Sequence, residues 1–331
     1  MHHPTSTLFQ LVQHLNHGAF QDGETLGQSL GVSRAAIWKT ISKLEQYGVP
    51  LKRVKKKGYQ LEHPLSLLDP LRLQSELASM LDLKYFETID STQTAIKKLT
   101  DANTRPLLYV SEQQTQGRGR LNRTWHAPFG QHLYLTLRYP FQQDLSELTG
   151  LSLMVSLSMA TASQSFLPDT TRLQVKWPND LVYQTQKLGG CLIEVQAEAH
   201  GSCTAWIGIG LNVNAEENSS QPQIAQAIPT PWTALSKLTG HRLDRTQVLI
   251  HLIKTLLGDL QVFSTQGFSG FLDHWKELDS LQGQTVSIQP TLQLPPRTGI
   301  ARGVNALGHL QFQLASGEVI SCANGDVRKN T

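Results

Sequence analysis

The sequence is poor in cysteine, has little net charge and contains no long unbroken apolar run. Its three cysteines are far apart and lack the CxxC spacing of zinc sites, so we expect reduced thiols in a cytoplasmic protein. The most apolar window, 148–162, is interrupted by Ser, Thr and Gly, which favours a buried helix over a membrane span. The first fifteen residues lack the features of a secretion signal. These absences argue against a disulfide scaffold, and no membrane partner is expected.

The length and the order of sequence patterns predict a multidomain α+β protein. At 331 residues, two or three domains are expected. Helical patterns fill the first sixty residues, strand-like and helical runs alternate from about 83 to 214, and short strands with regular turns fill the tail. Because the net charge is only +3, clusters of basic residues are more informative about partners than the total charge.

The first sixty residues have the pattern of a small DNA-binding module. Apolar spacing predicts a first helix over 5–16 and a short second helix over 22–31. Ser33 can cap a third helix that runs to Gly48. This order is typical of a helix-turn-helix, here at about Gly23 to Ser42, whose last helix enters the major groove of DNA.

Basic residues on the third helix and just after it are the predicted DNA contacts. The stretch "PLKRVKKKGYQLE" (50–62) alternates as two short strands around "KKKG", which predicts a wing that touches phosphates. The alternative is a helical interaction domain with a solvated charged face. The candidate contacts are Ser33, Arg34, Trp38, Lys39, Lys43, Lys52, Arg53, Lys55, Lys56 and Lys57. The proline-containing segment 62–70 has the composition of a linker.

The stretch "QGRGRLNRTWHAPFG" (116–130) lies between two predicted strands and is therefore a loop at a sheet edge. Gly117 and Gly119 are expected to supply backbone conformations that let amide groups converge on an anion. Arg118 and Arg120 add positive charge at the same point. A small phosphate or carboxylate ligand is favoured, while an exposed basic loop and a nucleic-acid contact remain as alternatives.

A second candidate for chemistry is "VKWPNDLVY" (175–183). Its strand ends at Pro178, which places Lys176 near a strand end, where a cation can neutralise developing phosphate charge. A surface lysine before a turn is the alternative. Further along, Gly208 and Gly210 in "GIGLNVN" permit close approach of a ligand.

Taken together, these motifs resemble those of one enzyme family. "IDSTQ", "QQTQGRGRLNRTW", "VKWPND", "QKLGGCLIEV" and "GIGLNV" occur in the order and at about the spacings of biotin protein ligases, the biotin–[acetyl-CoA-carboxylase] ligases. With a helix-turn-helix in front, the chain is similar to the bifunctional form that is also the biotin operon repressor. The resemblance covers nearly the whole chain.

The resemblance implies three domains. These are a winged helix-turn-helix over 1–63, a central α/β ligase domain related to class II aminoacyl-tRNA synthetases over 64–278, and a small SH3-like β-barrel over 279–331. It also implies a two-step reaction, in which biotin and ATP, with Mg²⁺, form biotinyl-5'-AMP and a biotin carboxyl carrier protein then accepts the biotin on a lysine. In such relatives the adenylate-bound homodimer binds operator DNA.

The resemblance also implies roles for individual residues. The implied biotin contacts are Ser91, Thr92, Gln93, Gln114, Gly117, Arg118, Gly119, Arg120, Lys176, Gly190 and Gly208. The implied ATP and adenylate contacts are Arg118, Arg120, Arg123, Trp125, Lys176, Asn212 and Trp232. Trp232 comes after the polar segment 215–223, which resembles the flexible adenylate-binding segment of the family. Lys176 and Arg118 are the implied catalytic residues, and Asp180 is the candidate magnesium ligand. Core packing is the alternative for both tryptophans.

Two positions depart from the family pattern. Gln93 stands where many relatives have Asn, so its contact with biotin is expected to be shifted or weakened. Trp38 stands where a polar residue is common, which changes the expected operator preference. Two other functions are considered beside the bifunctional enzyme: a biotin-sensing transcription factor without catalysis, and a ligase of a related acid such as lipoate.

Overall fold

The computed structural model describes residues 6–99, 105–197, 201–214, 231–289 and 295–329. Its N-terminal part consists of three helices and a hairpin: α1 (Thr7–Leu15), α2 (Gly23–Leu30), α3 (Arg34–Gln46), β1 (Leu51–Val54) and β2 (Gly58–Leu61). The predicted helix-turn-helix is present, and the antiparallel β1–β2 pair forms the predicted wing. The third helix ends two residues earlier than expected.

Local signals set the boundaries of these helices. Asp22 and Ser33 accept hydrogen bonds from amides in the first turns of α2 and α3, where backbone donors have no helical partner. Gly31 ends α2 in the left-handed conformation at φ 66°. A Cβ on Gly27 would lie 2.7 Å from the carbonyl oxygen of Val32, so a larger residue would obstruct the turn between the two helices.

The central region is built on a seven-stranded sheet. Its strands are β3 (Asp82–Phe86), β4 (Leu107–Ser111), β5 (Leu133–Phe141), β6 (Gln174–Lys176), β7 (Asp180–Tyr183), β8 (Gln186–Ala197) and β9 (Cys203–Leu211). They lie in the order β3-β4-β5-β9-β8-β7-β6. Among the described pairings of this sheet, only β3–β4 is parallel. The predicted α/β core with much antiparallel sheet is thus confirmed.

Helices pack against this sheet. They are α4 (Pro70–Leu77), α5 (Thr92–Lys97), α6 (Leu151–Gln164), α7 (Leu235–Thr239), α8 (Arg245–Gln266) and α9 (Leu272–Leu278). Most of them share its main core, while Ile96 of α5 belongs to a separate apolar cluster with Leu107, Tyr109 and Trp206. The apolar window 148–162 forms most of α6, which is buried on nearly every side. Two of its serines donate to backbone carbonyls one turn earlier, Ser156 to Ser152 at 2.9 Å and Ser158 to Met154 at 3.2 Å, whereas the buried hydroxyl of Ser163 has no hydrogen-bond partner among the described residues. The prediction of a buried helix is confirmed.

One helical segment among the described residues, Arg245–Leu278, is long and apolar enough to cross a membrane by composition alone. Half of its most apolar window is buried inside the protein. Its first residue, Arg245, is fully buried and pairs with the equally buried Glu112 at 2.5 Å. These features are those of a core helix in a folded protein.

The same ion pair fixes the predicted linker to the central region. Arg245 donates to the carbonyl oxygen of Ser66 at 3.0 Å, and the amide of Leu68 donates to Glu112 at 2.7 Å. Both ions are therefore hydrogen-bonded as well as paired, as buried charges require. The segment 62–70 connects the two parts of the chain, but much of it is held against the core.

The tail forms a five-stranded antiparallel sheet. Its strands are β10 (Thr285–Gln289), β11 (Arg297–Val304), β12 (Leu310–Gln313), β13 (Val319–Cys322) and β14 (Asp326–Lys329), in the order β13-β12-β11-β10-β14. Alternate residues along β10, such as Val286 and Ile288, are buried and belong to the same apolar cluster as the central core. The tail sheet is thereby packed onto the central region, with β14 nearest the 116–130 loop.

Candidate active site

Side chains that are far apart in the sequence converge on one cavity. This cavity has a volume of about 1270 Å³ and lies between the central sheet, the 116–130 loop, the N-terminal module and β14. Every residue predicted to contact biotin, nucleotide or metal lines it, except Gly117. The described lining contains eight Lys or Arg side chains and two Asp side chains, Asp180 and Asp326. This excess of positive charge suits a polyanionic ligand.

The 116–130 loop folds as a narrow hairpin. The amide of Gly119 donates to the carbonyl of Arg123 at 2.7 Å, and the amide of Trp125 donates to the carbonyl of Gly117 at 2.9 Å. Gly117 is buried in this hairpin, and a Cβ on it would lie 2.4 Å from the carbonyl oxygen of Trp125. Gly117 therefore allows the two sides of the hairpin to approach each other and does not line the cavity.

The two glycines do not supply the left-handed backbone conformations of the hairpin. Neither Gly117 nor Gly119 adopts a positive φ; the left-handed conformations at the hairpin tip fall on Leu121 and Asn122, at φ 54° and 57°, and Gly130 has φ 69° at the end of the loop. The amide of Gly119 is used inside the hairpin, so it cannot also bind an anion. Charge, rather than a cradle of amides, is what this loop offers to a ligand.

The three arginines of the loop differ in how they are held. Arg123 pairs with Asp326 at 2.6 Å, and Arg120 donates to the carbonyl of Gly325 at 3.2 Å, so both tie the loop to the start of β14. The guanidinium of Arg118 is exposed and makes no hydrogen bond or ion pair with any described residue. Of the three, Arg118 is the one available to a ligand without breaking an existing contact.

Lys176 is the last residue of β6 and lies opposite Asp180 in the β6–β7 hairpin. The neighbouring Trp177 is buried and donates its indole N–H to the carbonyl of Gly308 at 3.1 Å, which holds this strand end in place. Lys176 is half-buried, and its ammonium makes no hydrogen bond or ion pair within the described parts of the chain. Burial lowers the pKa of its ammonium group, although Asp180 and Asp326 act in the opposite direction.

The carboxylates at this end of the cavity are already paired. Lys187 donates to Asp180 at 2.6 Å, and Arg123 holds the pKa of Asp326 below its usual value, although burial alone would raise it. Within the residues that the structure describes, no group of three His, Cys, Asp or Glu side chains could hold a metal ion. These residues do not form a preformed magnesium site, and the geometry gives no support to Asp180 as a ligand.

The opposite end of the cavity is formed at the start of α5. Ser91 caps this helix by accepting a hydrogen bond from the amide of Thr94 at 3.3 Å. Thr92 donates to Oε1 of Gln114 twice, from its amide at 2.8 Å and from its hydroxyl at 3.0 Å. Because the oxygen of Gln114 accepts these bonds, its amide nitrogen is left for a ligand in the cavity.

Gln93 is buried beside these residues with its carboxamide oriented by the sheet. Its Nε2 donates to Glu194 at 2.9 Å and, over longer distances, to the carbonyls of Leu192 and Trp206. Its Oε1 is buried without a hydrogen-bond partner among the described residues. A Cβ on Gly208 would lie 2.2 Å from this oxygen. Gly208 is therefore needed to accommodate Gln93 as well as any ligand.

Two tryptophans line the other side of the cavity. Trp125 lies against Gly210, where a Cβ would be 2.4 Å from the indole ring, and Trp232 lies beside the ring of His132. Both are half-buried, so neither is simply a core residue. Asn212 is buried and donates to the backbone of the residue after Trp232, which positions that segment. The predicted segment 215–223 lies outside the described residues.

Several residues of the cavity were missed by sequence reasoning. Lys187 and Asp326 line it directly, and Glu194 orients Gln93 from the neighbouring strand. Lys187 lies within the motif "QKLGGCLIEV", which was a usable signal. Glu194 and Asp326 are brought to the site by pairing with residues about 100 and 200 positions away, and no local pattern predicts that.

The ten predicted DNA contacts are all exposed, and Trp38, with 56% of its surface accessible, is the largest apolar side chain among them. Lys43 already has a partner in the protein, because its ammonium pairs with Glu87 of the central region. Arg53 pairs with Glu45 of α3. The helix and wing thus offer a basic surface with one exposed indole, as expected for a nucleic-acid interface.

Comparison with known proteins covers both parts of the chain. Residues 85–214 match the biotin/lipoate A/B protein ligase family, and residues 7–60 match an HTH domain family. The bifunctional ligase/repressor BirA of Salmonella typhimurium is 35% identical over 310 residues, which are 93% of this chain and 93% of that protein. This chain belongs to the BirA family of bifunctional ligase/repressors. The BirA of Escherichia coli is 33% identical, over 92% of this chain and 91% of its own.

The fold agrees with membership of the BirA family. The biotin protein ligase from Aquifex aeolicus, solved in complex with biotin and ATP, superposes with a TM-score of 0.62 at 26% identity. The match covers 75% of this chain and 99% of that one. The predicted winged helix-turn-helix and ligase fold are both present in this BirA-family chain.

Proposed function

We propose that this BirA-family protein is an ATP-dependent biotin protein ligase and also a DNA-binding repressor of biotin synthesis genes. The observation that carries the proposal is that Arg118 and Lys176, two cations without partners among the described residues, reach the cavity that α5 also lines. Joining biotin to ATP brings a carboxylate against a phosphate, and their repulsion is reduced by fixed positive charge between them.

In the first step, a carboxylate oxygen of biotin attacks the α-phosphorus of ATP and pyrophosphate leaves. Lys176 neutralises the charge that develops on the α-phosphate, and Arg118 covers the mixed anhydride. In the second step, the lysine amine of a biotin carboxyl carrier protein attacks the acyl carbon, AMP leaves, and biotin is held in an amide. A half-buried lysine is suited to this role because the charge of a partly desolvated cation acts strongly on a nearby anion.

The biotin head would occupy the α5 end of the cavity. A ureido ring presents a carbonyl acceptor between two N–H donors. This end of the cavity offers a donor for the carbonyl and an acceptor for an N–H. Gln114 has an available amide nitrogen, and Gln93 has an unpaired oxygen. Ser91 and Thr92 complete the polar wall, while Gly190 and Gly208 keep space for the rings.

The nucleotide would occupy the end near the two tryptophans and β14. Trp125 and Trp232 provide aromatic surfaces for adenine, and Arg120, Arg123 and Asn212 lie on this side. We propose that Mg²⁺ enters with ATP, held by the phosphates, since the nearby carboxylates Asp180 and Asp326 are paired with cations.

The repressor half of the proposal follows from the exposed basic helix and wing. Binding of biotinyl-AMP would promote homodimerisation, and the paired modules would bind an operator in the cytoplasm. Transfer of biotin to unmodified carrier would consume the adenylate and relieve repression.

We place the domain boundaries at 1–63, 64–278 and 279–331. We also propose a relation of the central domain to class II aminoacyl-tRNA synthetases and an SH3-like barrel for the tail, which its five short antiparallel strands support.

Labelled biotin, ATP and a carrier domain test the ligase half directly. We expect label on the carrier lysine only when ATP is present. Biotin binding without label on the carrier would identify a sensor that has lost catalysis, and labelling by lipoate in place of biotin would identify a ligase of a related acid. A gel-shift assay tests the repressor half, which fails if biotin and ATP together give no gain in operator binding.

A further inference from the structure

Glu194 on β8 contacts α5 with both of its carboxylate oxygens. Oε2 accepts from Nε2 of Gln93 at 2.9 Å, and Oε1 accepts from Nζ of Lys97 at 3.0 Å. Gln93 and Lys97 are four residues apart and therefore lie on the same face of the helix. One carboxylate thus holds this face of α5 against the central sheet, next to the cavity but outside its lining.

The surroundings of Gln93 permit only one orientation of its carboxamide. The groups on the sheet side are all acceptors: the Glu194 carboxylate and the carbonyls of Leu192 at 3.3 Å and Trp206 at 3.4 Å. Burial alone would raise the pKa of Glu194, but hydrogen bonds from Gln93 and Lys97 lower it overall, so the group is ionised and accepts only. The –NH₂ group must face the sheet, which turns Oε1 toward Gly208 and the cavity.

We propose that Glu194 is a positioning residue for biotin recognition: it orients Gln93 so that an unpaired oxygen accepts a hydrogen bond from a ureido N–H. This inference rests on the proposed function, because it takes biotin as the ligand of the cavity. The unpaired state of Oε1 supports it, since a buried acceptor without a partner is costly until a ligand donor satisfies it. Glu194 therefore contributes to the selection of an N–H donor without itself lining the cavity.

A charge reversal at Glu194 tests this orientation. In Glu194→Lys, the new ammonium donates to Oε1 of Gln93, so the carboxamide turns and presents –NH₂ to the cavity. The N–H of biotin then meets a donor in place of an acceptor. Glu194→Gln is the conservative variant, because its own carboxamide oxygen can still accept from Gln93.

The measurement is the dissociation constant, by calorimetry without ATP, for biotin and for cyclic carbamate analogues in which one ureido N–H is replaced by oxygen. The wild-type protein should bind one analogue about ten- to a hundredfold more weakly than biotin, since the loss of one donor leaves Oε1 unpaired. In Glu194→Lys, the ratio of the analogue's dissociation constant to that of biotin should fall to about threefold or less, because only biotin binding is weakened. Glu194→Gln should restore most of it. A loss of packing alone would weaken both ligands equally and leave the ratio unchanged.

Glu76→Lys is the matched control, because Glu76 is also a lysine-paired carboxylate, bonded to Lys254 at 2.7 Å, and lies outside the cavity. It should keep the wild-type ratio of the two dissociation constants.

If Glu194→Lys does not fold, Glu194→Met removes the acceptor without adding charge, and the ratio of the two dissociation constants must then fall at least threefold. An unchanged ratio in the reversed variant, or a wild-type protein that binds biotin and carbamate equally, overturns the inference and leaves the ligase proposal standing. A wild-type protein that does not bind biotin overturns both.

Discussion

Two basic stretches of this chain, the wing at 52–57 and the loop at 116–125, are similar in composition but differ in how their charges are held. The wing lysines are exposed, and Lys56 is at the hairpin tip in the left-handed region at φ 67°. In the loop, Arg120 and Arg123 are tied to the start of β14, while the Arg118 guanidinium has no hydrogen-bond or ion-pair partner among the described residues.

The difference shows that the exposure and the contacts of a charged side chain, more than its presence, determine which anion it binds. Wing charges that remain in water, separated along a projecting hairpin, suit the extended line of phosphates on DNA. Loop charges that line a cavity suit one small ligand, because contacts to the start of β14 keep Arg120 and Arg123 in place before binding and leave Arg118 to meet the ligand. A shared composition thus serves two different functions, and each can be disturbed without the other.

The largest expected effect is on the cavity side. Lys176→Gln keeps the size of the side chain but removes its charge, and we expect adenylate formation to slow by about a hundredfold to a thousandfold. Pyrophosphate exchange measures this step without the carrier. Operator binding by preformed biotinyl-AMP complex should persist, and an exchange rate within threefold of wild type would show that Lys176 does not act on the phosphate.

The pH dependence of the same residue follows from burial. Burial lowers the pKa of the Lys176 ammonium from the ordinary value of 10.5, and the reaction requires the charged form. The exchange rate should therefore fall as pH rises through this lowered pKa, about tenfold per pH unit, before pH 10.5 is reached. Lys176→Arg retains its charge at high pH, so its profile should stay flat in that range. A wild-type profile as flat as that of the arginine variant would contradict the assignment.

On the wing, replacement of Lys55, Lys56 and Lys57 by alanine should weaken operator binding by about ten- to a hundredfold. The slope of log affinity against log salt should decrease by about 0.9 for each DNA phosphate that the variant no longer neutralises. Biotin affinity should not change, because these lysines lie outside the cavity. Lys254→Ala, an exposed lysine on α8, serves as the control. A salt slope equal to that of the wild type would exclude the wing from the DNA interface.

Arg118→Gly tests the role of the loop arginine that, unlike Arg120 and Arg123, is not tied to the start of β14. Removal of the available arginine should let biotinyl-AMP leave about tenfold faster, since a charge-assisted contact is worth about 1.5–3 kcal/mol at most. Released adenylate would then modify lysines of added bystander protein, which is detected by streptavidin blotting. Release at the wild-type rate would count against the covering role of Arg118.

The smallest effect is expected at the contact between the loop and β14. Asp326→Asn removes the partner of Arg123, an ion pair that is largely exposed, so the free energy of unfolding should decrease by only about 0.5 kcal/mol. Because the folded pKa of Asp326 is lowered, its contribution is present above the ordinary value of 3.8 and is lost as pH falls through the folded pKa. The difference in melting temperature between pH 7 and pH 3 should thus be smaller for Asp326→Asn than for the wild type.

Much of the fold could be predicted because its signals are local. Ser33 caps α3, Gly31 ends α2, and the apolar window that becomes α6 is complete within one short stretch. The positive φ values at the tip of the 116–130 loop could not be predicted, since the hairpin contacts impose them on Leu121 and Asn122 in preference to Gly117 and Gly119.

The sequence by itself determined the helices, the strands and the motif side chains that meet at the cavity, because capping, periodicity and motif order act over a few residues. Only the tertiary structure decided which cations have no hydrogen-bond or ion-pair partner among the described residues, which carboxylates are paired, and which way Gln93 turns its oxygen. Those properties depend on neighbours up to about 200 residues away in the chain, such as Asp326 beside Arg123. The physical reason is that a charge or an amide is defined by what surrounds it once water is excluded.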